Sequence, residues 1–196
     1  MKLNLFGYVI IGFLLIICMK IYSENDSFNL TCVISNVDGE TYCVREREKV
    51  AEAADHLATV TGNMNKVFAS CKDKHADKAN VKRLIKGYNP KKIYETLPTS
   101  KFTAYSENKG EKLAFCLETE KDHGKLIDMN TLTYVALHEM AHICTEEVGH
   151  NDEFWQNFKF LIECAKEIGV YEPINYKKEP ARYCGMEITD NPYYDL

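Results

Sequence analysis

Between Arg45 and Cys71 the apolar residues fall at Val50, Ala53, Ala54, Leu57, Val60, Met64, Val67, Phe68 and Cys71, with charged residues between them. Steps of three and four place these positions on one stripe of an α-helix, so the pattern predicts a long amphipathic helix. A second helix is expected from about Asp77 to Lys86, burying Val81, Leu84 and Ile85 and closed by Gly87. Phe102–Ser106 and Lys112–Leu117 then read as two strands around the polar run Glu107-Asn108-Lys109-Gly110-Glu111, a hairpin. Helical spacing returns at Leu132, Val135, Ala136 and Leu137, with Asn130 as the expected N-cap. It returns again from Asp152 to Ile168 through Phe154, Trp155, Phe158, Leu161, Ile162, Ala165 and Ile168, where Gly169 ends it. The aromatic residues of this last helix are expected to pack against the helix before it. The tail carries Pro173, Pro180 and Pro192 and reads as irregular. The pattern as a whole is α+β: helix-rich, with a small antiparallel sheet before the helix at 132–137.

The N-terminus differs from all of this. From Leu5 to Met19 about fifteen residues are apolar without interruption and without a polar face. Lys2, Lys20 and Tyr22 at the ends extend the segment toward membrane length, so a retained single-pass anchor is expected, with a cleaved signal peptide as the alternative. The expected organisation is an anchor or signal over residues 1–22, a linker and hairpin over 23–44, and one domain over 45–196. Two N-x-S/T triplets, at Asn25 and Asn29, and eight cysteines suggest a lumenal or external location for that domain. Cys32 and Cys43 flank the turn signal Asn36-Val37-Asp38-Gly39 and could bridge a hairpin. The net charge of −5 offers no surface for tracking phosphates. The lysines of 72–92 are interleaved with aspartates and apolar positions, as on a solvated helix face, so no nucleic-acid partner is expected.

The chemistry is concentrated in His138-Glu139-Met140-Ala141-His142, an H-E-x-x-H run placed on the helix at 132–142. Residues four apart share a helix face, so the two imidazoles can reach one metal ion, and Glu139 is placed to take a proton from a metal-bound water. A catalytic zinc site needs three protein ligands and one open position. Three of the chain's six histidines lie in this window, the third being His150, directly after Gly149. An unbroken helix from His142 to His150 would separate them by about 12 Å, too far for one ion. The chain must therefore turn after Cys144, and Gly149 can supply the backbone conformation for the return. Asp152 and Glu163 are competing third ligands, although Asp152 can instead cap the following helix beside Asn151.

These residues carry a resemblance as well. Val135-Ala-Leu-His-Glu-Met-Ala-His142, followed by Gly149-His150-Asn151-Asp152-Glu153-Phe154-Trp155, is similar to the WLM and SprT-like zinc metallopeptidases. The longer stretch through Tyr183-Cys184-Gly185-Met186 resembles metallopeptidases of this type encoded by large DNA viruses. The resemblance implies a zincin-like fold, with His138, His142 and His150 as zinc ligands and Glu139 as catalytic base. It also implies that Tyr183 and Met186 lie near the metal, in transition-state or supporting roles, with packing in the core as the alternative for both. The substrate would pair with the sheet just upstream of the zinc helix, at Leu113-Ala114-Phe115. The expected function is therefore a zinc-dependent metallopeptidase acting on protein or peptide substrates at a membrane. A catalytically silent, zinc-stabilised membrane or virion module is the alternative, and a DNA-associated protease of the crosslink-repair type a second. The apolar N-terminus and the acidic balance depart from the DNA-repair members and argue against a DNA–protein crosslink substrate.

Overall fold

The computed structural model describes residues 5–24, 30–97, 99–121 and 124–195. The elements in chain order are α1 (Leu5–Glu24), β1 (Leu30–Ile34), β2 (Thr41–Arg45), α2 (Val50–His75), α3 (Ala79–Gly87), β3 (Ile93–Glu95), β4 (Ala104–Glu107) and β5 (Lys112–Phe115). They are followed by α4 (Met129–Cys144), α5 (Asp152–Glu167), β6 (Ala181–Tyr183), β7 (Met186–Ile188) and α6 (Pro192–Asp195). The architecture is α+β. Helix α4 runs through the middle of the core: from Leu132 to Leu137, and again at Met140, Ala141 and Ile143, its side chains are buried. Helices α2, α3 and α5 and strand β4 pack around it.

The β4–β5 hairpin forms as the alternation predicts, but it belongs to a larger mixed sheet. The strand order is β3-β5-β4, with β3 parallel to β5 and β4 antiparallel to it. Strand β3 escapes the sequence pattern because three residues are too few to show alternation. Its place at the sheet edge corrects one expectation. Leu113, Ala114 and Phe115 lie on the central strand, fully buried, with ladder partners on both sides. A substrate strand therefore has no free backbone edge to meet there. The edge strands are β3 and β4.

Before the sheet, β1 and β2 form an antiparallel hairpin in which Cys32 pairs with Cys43 through a disulfide. Val44 enters the core, and the neighbouring Arg45 is itself buried, its guanidinium donating to the carbonyl of Thr96 at 2.6 Å and that of Lys121 at 2.8 Å. Glu95 accepts the backbone N–H of Arg45 at 2.6 Å and pairs with the Arg47 guanidinium. Burial raises the Glu95 carboxyl while the two arginines pull it back down. This buried network holds the hairpin against β3. A second disulfide, Cys116–Cys184, joins the end of β5 to the turn between β6 and β7. The tail is thus more ordered than its prolines suggest. Backbone bonds from Cys184 to Glu118 (2.9 Å) and from Gly185 to Thr119 (2.8 Å) hold two strands too short to be read from hydrophobic pattern.

Helix α1 forms over the apolar N-terminal run, and residues such as Phe6, Phe13 and Ile16 are exposed. Among the described residues no helix is long and apolar enough to cross a membrane, so the expected transmembrane span is not supported. Leu5 to Met19 covers only about 22 Å at 1.5 Å per residue, against a hydrocarbon core of about 30 Å. Asn25 and Asn29, where the N-x-S/T triplets begin, lie outside the described residues.

Candidate metal centre

Helix α4 starts where Asp128 accepts a hydrogen bond from the Thr131 backbone N–H at 2.9 Å. Asp128, rather than Asn130, is the N-cap. The Asn130 side chain instead ties the helix to the chain after α5, bonding the N–H and carbonyl of Glu172. The helix ends at Cys144 and the chain leaves in an extended conformation at Thr145. This is the turn that His150 requires. Gly149 adopts a φ of 109°, open to glycine but strained for other residues, and Asn151 then caps α5 by accepting from the Phe154 N–H at 2.9 Å.

The result is a triangle of imidazoles. The ring centroids of His138, His142 and His150 lie 5.0, 4.9 and 4.9 Å apart. One nitrogen from each ring can be chosen so that all lie within 4.8 Å of one another, and Nε2 of His150 faces Nε2 of His138 at 3.1 Å. Ligands at 2.0–2.1 Å from a tetrahedral ion would stand about 3.3 Å apart, so this spacing fits a shared cation. Among the described residues no other group of three or more side chains meets that test. Asp152 opens α5 and Glu163 is an exposed residue further along it; neither joins the triangle.

Phe154 was expected only to pack. Its ring lies 4.9, 4.5 and 4.6 Å from those of His138, His142 and His150, so one fully buried aromatic side chain supports all three imidazoles. The loop that brings His150 back is held by Lys109. From the β4–β5 turn its ammonium reaches the carbonyls of Thr145 and Glu147 at 2.9 Å each and that of His142 at 3.4 Å. Those carbonyls lie at and just beyond the C-terminus of α4, where a cation is favoured and unpaired acceptors need donors. The turn can approach so closely because Gly110 has no side chain: a Cβ there would stand 2.6 Å from the Gly87 carbonyl oxygen. On the other side, Asn157 donates to the Thr145 hydroxyl at 3.1 Å, and Arg83 pairs with Glu153.

Electrostatics favour the neutral ligand state. Burial, reinforced by the neighbouring rings, lowers His138 to about 3; burial, His150 and the Lys109 charge lower His142 to about 4; and burial lowers His150 as well. Glu139 is buried beside them, and desolvation pushes its carboxyl up to about 8. Both His138 and Glu139 face two cavities. A cleft of about 1040 Å³ lies between α4 and β4, with Ala104, Tyr105, Ser106 and Glu107 on one wall and the three histidines on the other. A smaller cavity of about 270 Å³ lies on the side of β6 and β7.

Tyr183 and Met186 line the smaller cavity. The Tyr183 hydroxyl accepts from the Cys116 N–H at 3.0 Å and donates to the Thr103 carbonyl at 3.1 Å. With its proton committed to backbone it fits a supporting role, and no free donor remains for a transition state. Met186 is exposed, and its sulfur accepts from the Thr103 hydroxyl at 3.3 Å.

Two outcomes follow from this geometry. Lys109→Met should lower apparent affinity for Zn²⁺ or Co²⁺ by about ten-fold or more, as losses of groups that orient ligands do. Competition against a chromophoric chelator measures this, and unchanged affinity would make Lys109 an ordinary surface lysine. The second outcome concerns pH. In the metal-free chain, His138 and His142 take up protons near 6.5 when unfolded but only near 3 and 4 when folded, so they add stability as pH rises to about 6.5. Glu139 ionises near 4.5 unfolded and near 8 folded, so it removes stability between those values. Two histidines outweigh one carboxyl below about 6.5, and the carboxyl acts alone above it. Thermal melts in chelator should peak near pH 6.5, and Glu139→Gln should flatten the fall toward pH 8. An equally steep fall in that variant would contradict the shift.

Comparison with known proteins agrees with this geometry. The family model of the WLM domain matches residues 74–193, a span that contains β3 to β7 and the whole histidine triangle. Uncharacterized protein R325 of Acanthamoeba polyphaga mimivirus is 28% identical over 192 residues, covering 94% of this chain and 97% of the relative. Shorter similarities reach uncharacterized protein 136R of Invertebrate iridescent virus 6, 33% identical over 63 residues (32% of this chain, 35% of the relative). Uncharacterized protein 042R of Invertebrate iridescent virus 3 is 37% identical over 59 residues (30% and 36%). No solved structure matches. With the family model spanning more than half of its length, the chain belongs to the WLM domain family, alongside relatives from large DNA viruses.

Proposed function

We propose that the chain is a zinc-dependent metallopeptidase built on a zincin-like domain. The observation that carries this reading is the convergence of three neutral imidazoles beside a buried carboxyl, at the wall of a cleft bordered by an open strand edge. His138, His142 and His150 would hold the ion. When bound, zinc would supply Lewis acidity, easing ionisation of a water and polarising the substrate carbonyl. Glu139 takes the proton from the attacking water and passes it to the departing amine nitrogen. Burial raises its proton affinity, which offsets the attraction of a neighbouring cation for its charged form. Strand β4 accepts an extended peptide along its free edge by backbone hydrogen bonds, a mode that tolerates varied sequences. The exposed Phe102 and Val148 flank the cleft and offer apolar contact to unfolded segments. The two disulfides support an oxidising, lumenal or external setting for the domain. The net charge of −5 supports a protein rather than a nucleic-acid partner.

The test is cleavage of an unfolded protein by the zinc-loaded chain. Wild type should cleave and chelator should stop it. Glu139→Gln should keep the metal and the fold yet lose about 10²–10⁴-fold in turnover. A Glu139→Gln variant as fast as wild type would refute the mechanism. A wild-type protein that melts on chelation and never cleaves would instead be a zinc-stabilised structural module.

A further inference from the structure

The β6–β7 ribbon has two unlike faces. Its ladder pairs Tyr183 with Met186 and Ala181 with Ile188, and between them Arg182 with Glu187. Side chains alternate across a strand, so Tyr183, Met186 and Ile188 share one face and the charged pair takes the other. The first face borders the smaller cavity of about 270 Å³, where Ala104, Val135 and Trp155 supply the rest of the apolar wall. His138 and Glu139 border the same space. Polar groups around it are already engaged. The Tyr134 hydroxyl donates to the Asp190 carbonyl at 2.6 Å, the Tyr183 hydroxyl is committed to backbone, and the Thr103 hydroxyl donates to the Met186 sulfur at 3.3 Å. Arg182 pairs with Glu120 at 3.1 Å, and the Asp190 charge acts on Lys177. What these residues leave for a guest is carbon surface and the faces of two tyrosine rings.

We infer that this cavity is a specificity pocket for one uncharged aliphatic side chain of the substrate, of about the size of leucine or methionine. The inference rests on the peptidase reading. Strand β4 runs from the Ala104 end, which borders both cavities, to the Glu107 end, which borders only the cleft. A peptide paired antiparallel to β4, the more stable arrangement, therefore passes Glu139 travelling toward Ala104. The residue entering the cavity is then the one just after the cleaved bond. The space is smaller than the roughly 300–1,000 Å³ that whole small-molecule ligands occupy, which suits a single side chain. Met186 is half exposed and unbranched, so it can move to fit guests of different shape. An aliphatic guest removes apolar surface from water on both partners, whereas an ammonium or carboxylate would lose hydration without replacement.

The test uses the full chain loaded with zinc and three small hydroxamates that differ only in the side chain next to the metal-binding group: alanine, norleucine or lysine. Norleucine adds the aliphatic stem, and lysine adds a charge to a stem of the same length. Trp155, the only tryptophan in the chain, lines the cavity, so its fluorescence reports occupancy. The norleucine compound should bind about thirty-fold tighter than the alanine compound and about ten-fold or more tighter than the lysine compound. Met186→Glu, at an exposed position, sets a carboxylate beside the guest and should bring lysine level with norleucine or ahead of it. Glu187→Gln, on the opposite face of the ribbon, should leave all three affinities within about two-fold. Equal affinity for alanine and norleucine, a lysine preference in the wild type, no binding of any compound, or a Met186→Glu variant that keeps the full preference overturns the pocket. So does a preference that changes in Glu187→Gln. A norleucine preference in binding without Glu139-dependent cleavage upholds the pocket and overturns the peptidase reading instead.

Discussion

Two histidines on one helix can meet an ion without help from the rest of the fold; the third cannot. The central constraint is the reversal of the chain between Cys144 and His150, because a helix that continued would carry His150 about 12 Å away. Reversal exposes the last carbonyls of α4, and the structure satisfies them from elements far apart in sequence. Thr145 caps through its own N–H and hydroxyl to the Ala141 carbonyl, at 3.0 and 2.8 Å. Lys109 reaches in from the hairpin to the Thr145 carbonyl, Arg83 from α3 donates to the Cys144 carbonyl at 2.5 Å, and Asn157 from α5 holds the Thr145 hydroxyl. The order of the site is therefore a property of the packing of α3, β4, α4 and α5 together.

Burial then sets the proton inventory. The rings on the Phe154 side are held neutral, which is the form that can donate a lone pair, while Glu139 is held near the middle of the physiological range. Both effects come from one source, exclusion of water by the surrounding core. A cation at the triangle would lower Glu139 again by direct attraction, coupling ligand occupancy to the protonation of the neighbouring carboxyl. A ligand site buried in this way would link metal binding to folding.

Much of this arrangement is legible in the residues. The helical stripes of α2 and α5, the end of α4, the reversal at Gly149 and the Cys32–Cys43 hairpin follow from spacing and turn chemistry, since each is a local preference. What escapes is nonlocal. Asp128 outcompetes Asn130 as a cap because Asn130 is engaged by Glu172, forty-two residues on. A strand of three residues, β3, joins the sheet and places β5 in its middle, leaving β3 and β4 as the edges. The Cys116–Cys184 bridge spans 68 residues and orders a tail that has no hydrophobic period of its own. The support of three rings by Phe154 is invisible in a helical stripe that contains several aromatics. The N-terminal run is legible as a helix, but among the described residues no helix is long and apolar enough to cross a membrane.

The account stands on three ring nitrogens sharing one ion. X-ray absorption at the zinc edge of the metal-loaded chain measures this directly. One zinc per chain is expected, with nitrogen or oxygen neighbours at about 2.0–2.1 Å and multiple-scattering features of three imidazoles, falling to two in His150→Ala. A first shell containing sulfur near about 2.3 Å, or an unchanged spectrum in His150→Ala, would contradict it.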